Sequence, residues 1–187
     1  MEDWLKPMPL AELFEIQQPI EVDMGSGKGR FLLARATAHP DTNYLGIDRM
    51  LRRIRKVDRR IRHVGLHNVR LLRMDAYYAT TYLIPPSCVR AYYIFFPDPW
   101  PKKRHYAHRF FNEEYLDALA RTLLAGGRVN VATDHLPYFE EIRERLMKDD
   151  RFEEVETFVP SDDEKTDFEL YYDGRKSIGR CSFAKKV

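Results

Sequence analysis

Short apolar runs alternate along the chain with stretches in which apolar residues recur every third or fourth position. Ile20-Glu21-Val22-Asp23-Met24 reads as a strand running into glycines, and residues 31–38 as the helix after it. Residues 43–48 form a second short strand. Met50, Ile54, Val57 and Ile61 then recur at spacings of four, three and four, which is one face of a helix. Arg52, Arg53, Arg55, Lys56, Arg59, Arg60 and Arg62 fill the rest of its circumference, and Gly65 ends it. Residues 69–74 make a third strand. Residues 89–96 make a fourth, rich in aromatic and β-branched residues as a buried central strand is. Residues 112–124 read as a helix with Asn112 as its cap and Glu113-Glu114 in the first turn. Ala125-Gly126-Gly127 stops it, and residues 128–133 form the fifth strand. A helix over about 135–147 and two strands near 152–159 and 180–185 complete the pattern. Strands alternating with helices predict an α/β fold: a doubly wound, mostly parallel seven-stranded sheet with helices on both faces. No repeat or low-complexity linker interrupts it, so residues 1–187 read as one domain with a short N-terminal segment over 1–18.

Composition narrows the class. The 187 residues are 44% hydrophobic and 13% aromatic, too apolar for a disordered chain and long enough to bury a core. The stretch from Ala76 to Val89 carries no charge but is too short to span a membrane and contains Pro85-Pro86, so no membrane partner is expected. The first residues lack both a basic region and an apolar region, which argues against a signal peptide. Cys88 and Cys181 are single and far apart, and the six histidines show no ligand spacing. No metal is expected, and a reducing cytoplasm is. Formal charge is near balance, with 31 Lys and Arg against 29 Asp and Glu, but it is unevenly spread. Between Arg49 and Arg73 stand ten basic residues and one acid, Asp58; Lys102-Lys103-Arg104 follows later, and the last third is acidic. That asymmetry suits a protein offering one face to a polyanion. A solvated helix face would leave the same trace in the sequence.

In doubly wound sheets ligands bind beyond the carboxyl ends of the strands. The first strand runs into Asp23-Met24-Gly25-Ser26-Gly27-Lys28-Gly29. Glycines at alternate positions allow a tight turn and close approach of a ligand to the main chain. The spacing is neither that of a phosphate-binding P-loop nor that of a dinucleotide fold. Asp48 ends the second strand, where a carboxylate can accept from both hydroxyls of a ribose. Asp75-Ala76 ends the third, a place to receive an adenine amino group. Together these acids favour a neutral or cationic nucleoside such as S-adenosylmethionine over a pyrophosphate, unless they are only solvated strand ends. The fourth strand supplies Phe95-Phe96-Pro97-Asp98-Pro99-Trp100-Pro101-Lys102-Lys103-Arg104-His105. Prolines at alternate positions stiffen an extended arm that holds Asp98 at the strand mouth and presents the Trp100 indole. The cations that follow suit phosphates.

These pieces closely resemble the bacterial tRNA (guanine-N7-)-methyltransferases, Rossmann-like class I S-adenosylmethionine-dependent enzymes. The resemblance rests on Gly25 to Gly29 after Asp23, on Gly46-Ile47-Asp48, on Asp75 and on the run from Asp98 to His105. Thr133-Asp134 and Thr166-Asp167-Phe168-Glu169 match further motifs, so that it spans roughly residues 19–185. Asp23 stands where the family generally has Glu. The family usually has a longer N-terminal arm and a shorter stretch between Glu169 and Gly179.

The resemblance implies a cofactor site of Asp23, Gly25, Ser26, Gly27, Asp48, Asp75, Ala76 and Asp98, with Asp98 between methyl donor and guanine. It implies substrate contacts from Lys102, Asp134, Thr166, Asp167, Phe168 and Glu169. Lys103, Arg104, His105, His108 and Arg109 would touch tRNA, the modified base being guanine 46 of the variable loop. The family leaves open whether the chain is a monomer or a homodimer. Guanine N7 has a free lone pair and no proton to lose, so Asp98 reads as a positioning and charge-stabilising group, not a base. Methylation of another RNA or of an adenine N6 is the nearest alternative, although adenine-N6 enzymes usually show an Asn/Asp-Pro-Pro-aromatic order. A non-catalytic RNA-binding module would leave the three carboxylates unexplained. None of the five serines lies in a nucleophile elbow.

Overall fold

The computed structural model describes residues 7–100, 109–172 and 174–187. Among them, seven strands form one sheet in the order β3-β2-β1-β4-β5-β7-β6. These are β1 (Ile20–Met24), β2 (Asn43–Ile47), β3 (Val69–Leu72), β4 (Val89–Phe95), β5 (Leu123–Thr133), β6 (Phe152–Val155) and β7 (Gly179–Lys185). β1 to β5 run parallel, and β7 enters antiparallel between β5 and β6. Every residue of β1 and β2 is buried, which accounts for their continuous apolar runs.

The helices are α1 (Arg30–Ala38), α2 (Leu51–Val64), α3 (Ala76–Tyr78), α4 (Glu113–Thr122), α5 (Leu136–Lys148) and α6 (Asp167–Tyr172). α3 continues into a π-helical turn over Ala79–Leu83. Arg121 of α4 holds that turn: its guanidinium donates to the carbonyls of Thr80, Thr81 and Ile84 at 2.8–2.9 Å. The largest core cluster joins Val22, Ile94, Val129 and Phe183 of the sheet to Tyr115, Leu119, Ile142 and Leu146 of α4 and α5. A second, of Leu32, Leu33, Tyr44, Val57 and Ile61, seats α1 and α2 on the sheet.

The expected α/β fold, doubly wound and mostly parallel, is what the chain adopts. Beyond shifts of one or two residues at element ends, it differs in four places, each for a local reason. β5 starts at Leu123, which pairs with Val89; the register then jumps so that Ala91 pairs with Arg128. Ala125-Gly126-Gly127 is therefore a bulge within the strand rather than a break before it, with Gly126 at φ +71°. β6 stops at Val155, because the chain then leaves the sheet. Phe158 donates its N–H to Ser182 Oγ and stacks its ring parallel to Phe95. α3 and its π turn fall in a run without helical periodicity. On α2 only Val57 and Ile61 of the expected stripe are buried, and Met50, just before the helix, is exposed.

Candidate active site

The parallel sheet reverses its winding between β1 and β4, and a cavity of about 690 Å³ opens beyond the strand ends on either side of that point. Gly25, Asp48, Asp75, Ala76 and Asp98 line it. Gly25, Gly27 and Gly29 all have positive φ, as the alternating glycines suggest. Gly29 needs its missing side chain twice over: φ is +76°, and a Cβ would lie 2.7 Å from Val57 Cγ1. The loop they form is folded over the end of β2. The N–H groups of Gly25 and Ser26 both donate to the Ile47 carbonyl, at 2.8 and 3.0 Å.

Asp48 fixes that arrangement. It is 4% exposed; Oδ1 accepts from Met50 N–H at 2.7 Å, and Oδ2 accepts from Gly27 N–H at 3.2 Å and from Arg53 at 3.3 Å. Asp23 also is 4% exposed, but it does not line the cavity. Burial, reinforced by the negative charge of Asp48, pushes its carboxyl up to about 7. Ser26 and Gly27 likewise shape the loop without lining the cavity, and Ser26 Oγ is buried with no hydrogen-bond partner among the described residues.

Asp75 caps α3, accepting from Tyr78 N–H at 3.1 Å. The next wall was not legible in the sequence. Tyr77 stacks on Tyr115 at 5.1 Å, and its hydroxyl lies 2.9 Å from Asn112 Oδ1 and 2.8 Å from Glu114 Oε2. Burial, helped by Glu114, pushes that phenol up to about 12, so it stays a donor. Asn112 and Glu114 line the same wall. Asn112 is marked in the sequence only as a helix cap, a role it fills toward Tyr115 N–H at 2.9 Å.

The arm after β4 separates two hollows. Asp98 and Trp100 line the main cavity, while Pro99 lines a second of about 490 Å³ with Asp134, His135, Leu136, Lys176 and Ser177. Phe96 and Trp100 bracket the arm at φ +54° and +43°, conformations costly for bulky side chains and characteristic of functional sites. Phe96 packs at 4.4 Å on Phe168, bringing the 166–169 motif against the strand mouth.

Within that motif Thr166 and Glu169 cap each other reciprocally. Thr166 N–H donates to Glu169 Oε2 at 2.8 Å, and Glu169 N–H donates to Thr166 Oγ1 at 3.1 Å. Glu169 Oε1 pairs with Arg180, and the residue is 4% exposed, so its carboxylate is committed to the fold rather than open to a substrate. Asp167 and Phe168 are half-buried. Asp134 pairs with Lys176, whose ammonium stands 4.1 Å from the Tyr172 ring centre.

Arg109, which the resemblance places among the tRNA contacts, has its guanidinium committed within the fold. It is 7% exposed, donates from Nε to the Pro99 carbonyl at 3.0 Å, pairs with Glu141 and lies over the Tyr138 ring. It staples the arm to α5, and what it leaves accessible faces the main cavity rather than the outer surface. Lys102, Lys103, Arg104, His105 and His108 lie outside the described residues. Among the described residues no three His, Cys, Asp or Glu side chains gather as metal ligands would, and no helix is long and apolar enough to cross a membrane.

Comparison with known proteins follows the same lines. A family model described as a putative methyltransferase matches residues 17–169. The chain is 36% identical to the tRNA (guanine-N(7)-)-methyltransferase of Rubrobacter xylanophilus, over 75% of this chain and 63% of that protein. It is 34% identical to the Thermotoga maritima protein of the same name, over 97% and 58%, and 36% identical to that of Chlorobium phaeobacteroides, over 75% and 69%. It thus spans less than two thirds of the first two relatives. In fold it is similar to the 16S rRNA methyltransferase KamB, with a TM-score of 0.67 at 15% identity over 95% of this chain and 90% of that one. An rRNA methylase from Streptococcus thermophilus gives 0.60 at 18%, over 95% and 92%.

Proposed function

The chain belongs to the tRNA (guanine-N7-)-methyltransferase family, and on that premise we propose that it transfers a methyl group from S-adenosylmethionine to N7 of a guanine in tRNA. The observation that carries the reading is the convergence of Asp48, Asp75 and Asp98, from three strand ends, on one cavity beside the Gly25 loop. About 690 Å³ falls within the range of small-ligand sites. Asp48, Asp75, Asp98 and Glu114 set among Met24, Ile94 and Phe95 fit a nucleoside bearing a sulfonium. Gly25 fits as well, since it turns its bare backbone to the cavity.

S-adenosylmethionine, when bound, supplies an electrophilic methyl group. Asp48 would hold the ribose and Asp75 with Ala76 the adenine. Tyr77 and Met50 would wall the pocket against water, and a dry wall strengthens every charge interaction inside. Asp98 would hold the guanine through N–H groups on its Watson–Crick edge and counter the positive charge that develops on the purine. No residue is asked to remove a proton, because N7 carries none. Asp134 and Phe168, on the other side of the Pro99 arm, would complete the base site. All seven strands share one sheet, which supports reading the chain as one methyltransferase domain; a tRNA substrate makes the cytoplasm its expected compartment.

The test is to incubate the protein with methyl-labelled donor and unmodified tRNA, then map the label. Label on N7 of one guanine is the expected outcome. Label on an adenine, label on another atom of guanine, or no transfer despite donor binding would overturn the reading.

A further inference from the structure

α2 begins at the rim of the cavity and runs away from it for about 20 Å. Arg49, Met50 and Arg53 at its start are part of the lining. At about 100° per residue the helix divides into distinct faces. Val57 and Ile61 point inward and are buried. On one flank Arg53 is committed to Asp48 at 3.3 Å and Arg60 to the Lys28 carbonyl at 2.8 Å, both securing the glycine loop. On the other, Arg62 pairs with Asp58 at 3.1 Å. Opposite the buried stripe stand Arg52, Arg55, Lys56 and Arg59. All four are exposed, and none has an ion-pair or hydrogen-bond partner among the described residues.

The same molecule shows what an ordinary solvated helix looks like. Each of three cations on α5 has an acid: Arg143 with Glu154, Arg145 with Glu141 and Lys148 with Glu144. The outward face of α2 has no acid of its own. Like charges three and four residues apart destabilise a helix, and solubility requires no such face, since mixed charges serve it equally well. Three of the four cations are arginines, the side chain suited to paired hydrogen bonds with phosphate oxygens.

We propose that Arg52, Arg55, Lys56 and Arg59 form a track for the phosphate backbone of the tRNA whose guanine enters the cavity, an inference that rests on the function proposed above. The track starts where the base must enter, so backbone contacts along α2 would fix the register of the RNA and leave base recognition to the pocket.

The test compares the full chain with the Arg52→Gln/Arg55→Gln/Arg59→Gln variant in binding unmodified tRNA between 50 and 200 mM salt. Each phosphate contact adds about 0.7–0.9 to the slope of log affinity against log salt. Three lost contacts should lower its magnitude by roughly 2–3 units, so that the variant loses about 20- to 40-fold less affinity over that range. KM for tRNA should rise with kcat and donor affinity unchanged. Arg52→Lys/Arg55→Lys/Arg59→Lys should recover most of the slope, which a merely misfolded helix would not. An unchanged slope in the glutamine variant, with wild-type tRNA methylation intact, would overturn the track alone. If the wild-type chain binds and methylates no tRNA, both the track and the proposed function fall.

Discussion

Asp23→Asn should stabilise this protein at alkaline pH and destabilise it by about 1 kcal/mol at pH 4, where the folded wild-type carboxyl is protonated. The carboxyl is buried in β1 beside Asp48, and its pKa rises from 3.8 to about 7, first through burial and then through that neighbouring charge. The folded chain therefore holds this proton far more tightly than the unfolded chain. Stability is greatest below the unfolded value, falls as pH rises, and reaches its full deficit once pH passes about 7. Roughly three units at about 1.36 kcal/mol each set a ceiling near 4 kcal/mol. An amide keeps the shape and removes the charge, at a cost of about 1–2 kcal/mol if its extra N–H goes unpaired. The expected net gain is about 2–3 kcal/mol at pH 8.5, or about 5–10 °C in Tm.

The measurement is denaturant and thermal unfolding of both proteins from pH 4 to 8.5. The quantity read is their difference at each pH, which cancels the histidines and other shared groups. The difference, variant minus wild type, should rise through the window from pH 4 to 7 and then level off. A constant difference, or one that falls as pH rises, would refute the reasoning. A carboxylate kept buried at such a cost beside a second one is the mark of a site rather than of a core. The stabilised variant should accordingly bind donor less well.

Three further outcomes separate residue roles. Asp98→Asn should cut kcat by about 100- to 1000-fold with Tm little changed, and the wild-type rate should stay flat above neutral pH; a rate rising with the titration of a base would contradict the role given to Asp98. Arg109→Met should lower stability by about 2–3 kcal/mol, at the low end for a buried pair because the orphaned Glu141 is partly exposed, as read by unfolding. The salt slope of its tRNA binding should not move; a slope reduced by a full unit would restore Arg109 to the RNA surface. Gly29→Ala should cost about 2–4 kcal/mol, since both its positive φ and Val57 at 2.7 Å oppose a Cβ, and a Tm within 2 °C of wild type would show that the loop relaxes freely.

How far the sequence reaches into this site follows from which contacts are local. Asp48, Asp75 and Asp98 could be read because each follows an apolar strand, and in a doubly wound sheet that position faces the ligand. The Thr166–Glu169 spacing is also local and carries the signature of a helix start, so α6 was within reach of sequence reasoning even though the 166–169 motif points first to substrate. What a chain of residues does not show is the partner that claims a charge. Arg109 stands next to cations and reads like them until Glu141, 32 positions away, is found on it. Glu169 reads as an open acid until Arg180 closes it, and Tyr77 carries no mark in the sequence until α4 brings Asn112 and Glu114 to its hydroxyl.

The arginines of α2 complete that argument from the other side. In sequence α5 already shows an acid four residues before two of its cations, Arg145 and Lys148, whereas α2 offers only Asp58 to all of its arginines. In three dimensions the α5 cations are answered by Glu141, Glu144 and Glu154, whereas Arg52, Arg55, Lys56 and Arg59 are answered by none of the described residues. Folding thus sorts the basic residues of this chain into those that hold it together and those left facing outward. Only the second kind can lose a salt-dependent contact when neutralised, whereas the first kind loses stability. Arg109 and Arg52 should therefore give opposite results in the same pair of assays, although the sequence presents them as the same residue in the same kind of run.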